Sequence, residues 1–412
     1  MRSAVKRNSK IILLLIAVIL VPIVVQLQKA IDPQRAQFQP GKGISSVMTN
    51  VGNNPVVLPS QFIAGTLIGF REVVAGLLWV RTDEFFHSGN FDAIVPMIRM
   101  ITWLDPHQVD VYSTGAWHLS YNFTDSAERA DRRYLGPAIK FMEEGIENNP
   151  EVWDIKLGLG FMIHALKTLD FKETIRWELE ASKSKDAKLY VHRQLAHAYI
   201  KDGNIDAAIK QWRKCVDQGI ELQKLDPEDR EYFTHYEVSR RNLDDLLIRR
   251  ANRASLPQRQ KKIIMEAKIR KIAPKQLVLV GKTNLPDGAR IDFILADSDF
   301  RDYNEKTMDQ FTWDVDPNET ACYETGMHGI LVTKGKFQSK FNFSKDPKMY
   351  PFKKDKYTLT LGFNPRTAGV AVQDVVGWSG EGISNDSKYL DTSTPGLKRL
   401  RKVITLSKSD II

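Results

Sequence analysis

The sequence predicts a multi-domain α plus β protein with a single N-terminal transmembrane helix, an all-α solenoid of helix hairpins and a C-terminal all-β sandwich. Three observations carry this. Residues 11–25 form an unbroken apolar run. Between residues 75 and 222, small and aromatic residues recur at an interval of 34. From residue 276 onward the helical spacing gives way to short alternating runs separated by turn residues. The predicted boundaries are 1–30 for a cytoplasmic tail and anchor, 31–59 for a tether, 60–273 for the solenoid with its capping helices, and 274–412 for the sandwich.

The N-terminal ten residues carry Arg2, Lys6, Arg7 and Lys10 and no acid. The apolar run that follows extends to Leu27, and seventeen helical residues span about 25 Å, near the lower limit for a bilayer. Positive charge ahead of the run holds the N-terminus inside. No small-x-small cleavage site follows, because Gln28 and Lys29 stand where small residues are needed. An uncleaved single-pass anchor in the cytoplasmic membrane is expected, with the bulk of the chain extracytoplasmic. Residues 31–59 are rich in Gly, Pro, Asn and Ser without a period, as a tether is. Residues 60–80 are apolar enough for a second span, but Arg71 and Glu72 at the centre would be costly in lipid, so a buried solenoid helix is predicted there.

Residues 189–222 give the clearest hairpin. Ala196, Ala208 and Cys215 are small enough to let two antiparallel helices approach, Leu195, Tyr199 and Trp212 fill the space left, and Gly203 takes the turn over Ile205. Stepping back by 34 places Phe161, Phe171, Thr174 and Ala181 in the same frame. Ala138, Met142, Gly145 and Pro150 mark an earlier unit whose halves are separated by an insertion near 123–133. Phe85, Gly89, Phe91 and Pro106 mark another over 75–108. Four units in compatible register exceed the roughly three needed to bury a continuous core.

These residues resemble the tetratricopeptide (TPR) repeat, so the helical part is expected to be a TPR-like solenoid. The resemblance implies a concave surface lined by the first helix of each hairpin. Carried over, its positions are Tyr190, Arg193, His197, Ile200 and Lys201 in one unit. In the unit before they are Lys156, Leu159, Ile163, Leu166 and Lys167. Four bases and one histidine among ten positions point to an acidic or carboxylate-bearing protein or peptide. The Lys and Asn pattern of the family's carboxylate clamp is not reproduced, so no C-terminal-peptide specificity is transferred.

After the repeats, 226–253 reads as a long capping helix opened by Asp226-Pro227, and 257–272 as a further basic helix ended by Pro274. The formal net charge of +9 is not spread evenly. Residues 249–275 hold ten bases against one acid, Glu266, so this one segment accounts for the whole excess. A solvated helix face is the default reading of it, and attraction to anionic polymers or headgroups comes second. Nucleic acid is excluded from the expected partners, because no aromatic stacking residues are interleaved and the expected topology removes access.

In the last third, strands are predicted at 277–280, 291–295, 330–332, 357–363, 370–376 and 403–406. The turn Asn284-Leu285-Pro286-Asp287-Gly288 is the clearest separator. Six strands at this spacing suggest a sandwich. The order TNLPDG, GKFQSKFNF, KYTLTLGF resembles transthyretin-like or carboxypeptidase-regulatory-like modules of exported proteins.

A search for chemistry finds no catalytic constellation, no cofactor motif and no metal set. Gly281-Lys282-Thr283 lacks the upstream glycine and the following helix of a phosphate loop. The eight histidines contain no HExxH, and Ser384 lacks the second glycine of a nucleophile elbow. Asp314, Asp316, Asn318 and Glu319 alternate as in a calcium loop but lack its central glycine. Cys215 and Cys322 read as small apolar fillers rather than a disulfide. The expectation is a non-catalytic extracytoplasmic scaffold that binds a protein or peptide in its groove, accessory to an envelope assembly, secretion or surface-polymer machine. The alternative is a carbohydrate- or cell-wall-binding protein in which Trp313, Tyr323, Tyr350 and Trp378 of the sandwich stack on sugars.

Overall fold

The computed structural model describes residues 70–88, 93–122, 131–303, 315–323, 329–345 and 350–412. By contact the chain divides into two units, 1–115 and 116–412, with the boundary inside one helix. In the first unit α1 (Arg71–His87) packs on α2 (Ile94–Leu104), whose Ile94, Met97, Ile98, Ile101 and Leu104 are buried. The third helix, α3 (Val109–Trp117), crosses the boundary.

The second unit continues α3 as a π-helical segment, His118–Asn122, and then α4 (Leu135–Asn148). Next come α5 (Trp153–Gly158), which runs on as a ten-residue π-helical segment Leu159–Thr168, and α6 (Phe171–Ser182). The hairpin of α7 (Leu189–Lys201) and α8 (Ile205–Leu225) follows, then α9 (Arg230–Arg253). Side-chain caps begin three of these helices: Asp170 accepts from the Glu173 amide, Asn204 from Ala207, and Asp229 from Glu231 and Tyr232. Gly203 takes the α7–α8 turn with φ +74°. Ala196, Ala208, Trp212 and Cys215 of the hairpin are all 0% exposed. Gly219 lies so close to α9 that a Cβ there would sit 2.9 Å from Tyr236 Cα.

The rest forms two antiparallel sheets. The smaller has the order β1 (Met265–Ala273), β2 (Gln276–Thr283), β6 (Lys336–Asn342). The larger has the order β4 (Ala321–Tyr323), β3 (Arg290–Asp297), β7 (Lys356–Phe363), β9 (Arg399–Ser407), β8 (Leu390–Asp391), with β5 (Ile330–Leu331) paired to β3. The inner faces alternate: Leu277, Leu279 and Phe337 on one sheet meet Ile291, Phe293, Leu295, Leu359 and Leu361 on the other in one core. Phe293 of β3 and Phe341 of β6 stack across that core with ring centroids 4.1 Å apart. A short helix, α10 (Val370–Val376), lies between β7 and β8.

The outer face of the larger sheet is not solvent-facing throughout. Asp292 and Ile294 of β3 share a cavity wall with Lys167, Thr168 and Leu169 of the helical part. Within the second unit the larger sheet therefore lies between the smaller sheet and the Lys167–Leu169 segment of the helical part.

Several expectations are corrected. The fold class is mixed: the part beyond 273 is not all-β, because it contains α10. Among the described residues no helix is long and apolar enough to cross a membrane. The predicted anchor 11–27, its tail and the tether lie outside the described residues. Residues 370–376 are helix rather than strand; the run is rich in valine, but Gly369 opens it and Gly377, at φ +88°, closes it. Residues 257–272 are not a helix: a short turn at Leu256–Gln258 leads into β1.

Candidate functional site

Two adjoining cavities lie between helices and sheet, sharing Leu169, Asp292, Phe363 and Asn364 as walls. The first, about 340 Å³, is bounded by the π segment, α6 and α7 on one side and by β3 and the β7 end on the other. The second, about 610 Å³, runs along the outer face of the larger sheet under Arg132, Lys167 and Tyr303.

The π segment lines both cavities, through Phe161 and Ala165 in the first and Lys167 and Thr168 in the second. Its wider turns end at Leu169, which is left-handed at φ 56°, and the Asp170 amide reaches back to the His164 carbonyl at 3.0 Å. Such segments are rare and concentrate at functional sites. The two π segments touch: Tyr121 donates to the Met162 carbonyl at 2.7 Å, and Lys167 Nζ sits 4.0 Å from the Tyr121 ring centre. Burial pulls the Lys167 ammonium down to about 7. Tyr303 donates to the Thr168 carbonyl at 3.0 Å and Arg132 pairs with Asp302 at 2.7 Å, so loop 298–303 of the sheet layer is tied to the helices.

Of the predicted partner-binding side chains Tyr190, Arg193, His197, Lys201, Lys156 and Lys167, three line these cavities and three do not. His197 and Lys201, one turn apart on α7, line the first, and Lys167 lines the second. The His197 ring lies edge-on to Trp212 at 5.0 Å. Burial, then Lys201 and Arg193, lower the His197 pKa; burial, then Arg249, lower that of Lys201. Arg193 is turned onto α9, where Nη1 donates to His235 Nδ1 at 2.7 Å. Tyr190 packs edge-on against Trp153, and Lys156 donates to the Pro150 carbonyl.

Sequence reading missed the acids of the first cavity. Glu178 is 1% exposed, and its Oε2 has no hydrogen-bond partner among the described residues. Burial pushes its carboxyl up to about 8. The signal was present: Thr174, Glu178 and Ala181 follow the spacing of the buried face of α6, so a glutamate occupies a core-facing position. Asp292, opposite on β3, is pushed up to about 7 by burial, against the pull of Arg132. Only the register of the sheet reveals it, where Gly362 is its partner and leaves the space beside it open.

The other candidates fall elsewhere. Gly281 lies in β2, where its missing side chain makes room for the Phe337 ring. The Asp316 and Glu319 carbonyls, within the calcium-like stretch, both accept from Arg133 Nη1; Asp314 lies outside the described residues. Among the described residues no group of three His, Cys, Asp or Glu side chains is placed to hold a metal. Cys215 and Cys322 are both buried. Of the sugar-stacking candidates, Tyr350 is 1% exposed and Trp378 is 5% exposed, so neither offers a face to solvent; Trp313 lies outside the described residues.

No protein-family model matches the chain, and no curated protein matches it.

Proposed function

We propose that this chain is a non-catalytic binding scaffold with a TPR-like helical layer, accessory to a larger assembly, and that it takes a protein or peptide segment in the cleft between helices and sheet. The observation that supports the reading most is the cleft itself. Two contiguous cavities share walls on the outer face of the larger sheet, and Gln194, His197, Ala198 and Lys201 of α7 close the first. Part of each wall is helix or strand, so an extended segment would meet surface that needs little ordering. The antiparallel pairs α5–α6 and α7–α8, each with the second helix capped at its start, support the TPR-like reading.

The test is site-specific photocrosslinking with the full chain in its native extract. A benzophenone side chain at Gln194, in the wall of the first cavity, is expected to give a discrete adduct. The same group at exposed Lys210 of α8 is the control. The Gln194 adduct is expected to weaken when Ala165→Trp, in the wall of the same cavity, narrows it. Equal adducts at both positions would overturn the reading.

A further inference from the structure

We infer that the first cavity is a receptor for a cationic side chain, a lysine-like ammonium or arginine-like guanidinium on an aliphatic stem, with Glu178 as its acceptor. This rests on the cleft being a binding site and names the chemistry of what enters it.

A carboxyl that is 1% exposed and keeps one oxygen unpartnered is costly in a folded protein. Here it lies in the wall of a cavity of about 340 Å³ rather than in solid core. The remaining wall is largely apolar: Phe161, Leu169, Phe171 and Phe363 would flank an alkyl stem. Asp292, on the opposite wall, supplies a second carboxyl. A donor head on a flexible apolar stem satisfies all of these at once. A carboxylate guest brings no donor for the unpartnered Glu178 Oε2 and leaves it unsatisfied.

Other titratable groups line the same cavity: His197 and Lys201 from α7, and Arg290 and Asp292 from β3. Lys201 competes with the guest's cation. Glu178, held protonated when the cavity is empty, gives its proton to the buffer when the cation arrives. Binding should therefore tighten between pH 7 and 9.

The test is calorimetric titration of the full chain with N-acetyl-lysine methylamide and with its uncharged isostere N-acetyl-norleucine methylamide. The lysine probe is expected to bind about tenfold or more tighter, as a charge-assisted bond in a buried site allows. Its heat should depend on the buffer's ionisation enthalpy, because a proton is released. Glu178→Gln should reduce the ratio of the two affinities to near one while norleucine binding stays the same. Should Glu178→Gln fail to fold by circular dichroism, Lys201→Met serves instead; it should tighten the lysine probe severalfold. Equal affinities, binding of neither probe, a lysine preference that survives Glu178→Gln, or no tightening in Lys201→Met would each overturn the inference. The Gln194 adduct separates the two readings. If it forms but the probes fail, the scaffold stands without a cation receptor; if the probes behave as expected and it is absent, the receptor stands without the scaffold.

Discussion

Arg366 Nη1 donates to Asp202 Oδ1 at 2.8 Å, joining the α7–α8 turn to the loop that follows β7. Both side chains are nearly buried, at 9% and 17% exposure. Burial raises the Asp202 pKa even though Arg366 pulls it down, and burial likewise lowers that of Arg366. Desolvation therefore outweighs mutual attraction on both sides of the pair, and the contact fixes geometry more than it adds stability. The adjacent Gly203 reinforces the fit, since a Cβ there would collide with Ser379 Oγ.

Breaking this pair from one side should cost far more than removing it whole. Asp202→Asn leaves a buried guanidinium unpaired and is expected to destabilise by about 3 kcal/mol. The double replacement Asp202→Leu with Arg366→Met should recover most of that loss. Urea denaturation of Asp202→Leu, Arg366→Met and the double variant measures the coupling.

Gly219 makes an opposite demand to helix propensity. Alanine would favour the helix by about 1 kcal/mol. Its Cβ would, however, lie 2.9 Å from both Cα and Cβ of Tyr236, and backbone cannot yield as a flexible side chain does. Gly219→Ala is expected to lower stability by about 1–2 kcal/mol net. A thermal midpoint at or above that of the parent would show that α8 and α9 can separate at no cost.

Trp378 completes a core that is otherwise helical. It packs with Ala208, Ile209, Trp212 and Leu246, and the Arg253 guanidinium lies 4.3 Å from its ring centre while bonding Asp374 at 2.6 Å. Trp378→Ala should cost about 3–5 kcal/mol. Limited proteolysis should show faster cutting near the α9 C-terminus.

His164 and His235 are buried, and burial lowers both from 6.5 to about 4. The unfolded chain binds protons there that the native state does not, so stability is fully present above pH 6.5 and falls as pH drops toward 4. Each histidine contributes at most about 1.4 kcal/mol per pH unit in that window. His164→Gln should flatten the slope of unfolding free energy against pH by up to that amount. Chemical denaturation at half-unit steps would check it, and an unchanged slope would remove His164 from the account.

Parts of this molecule were legible in the sequence for local reasons. The α7–α8 hairpin was, because Gly203, Ala208, Trp212 and Cys215 each do there what their size dictates. Strands β3 and β7 were, because alternation survives where one face meets a core. The segment from Met265 was misread because its lysines and arginines suit a helix. Its own alternation places Glu266, Lys268 and Arg270 outward, and Met265 inward. Residues 370–376 were misread the other way, since valine favours strands and only the bounding glycines argue for a helix. Of the cleft, the α7 side was visible through repeat spacing. The sheet side was not, because Asp292 reaches the helices only through strand order, a long-range property that no short window contains.

The Trp378 contact also bears on how the chain is made. The ribosome delivers α7, α8 and α9 well before it delivers the tryptophan that closes their core. Until the C-terminal portion emerges, the helices present an open apolar socket that some other surface must shield or the nascent chain must tolerate.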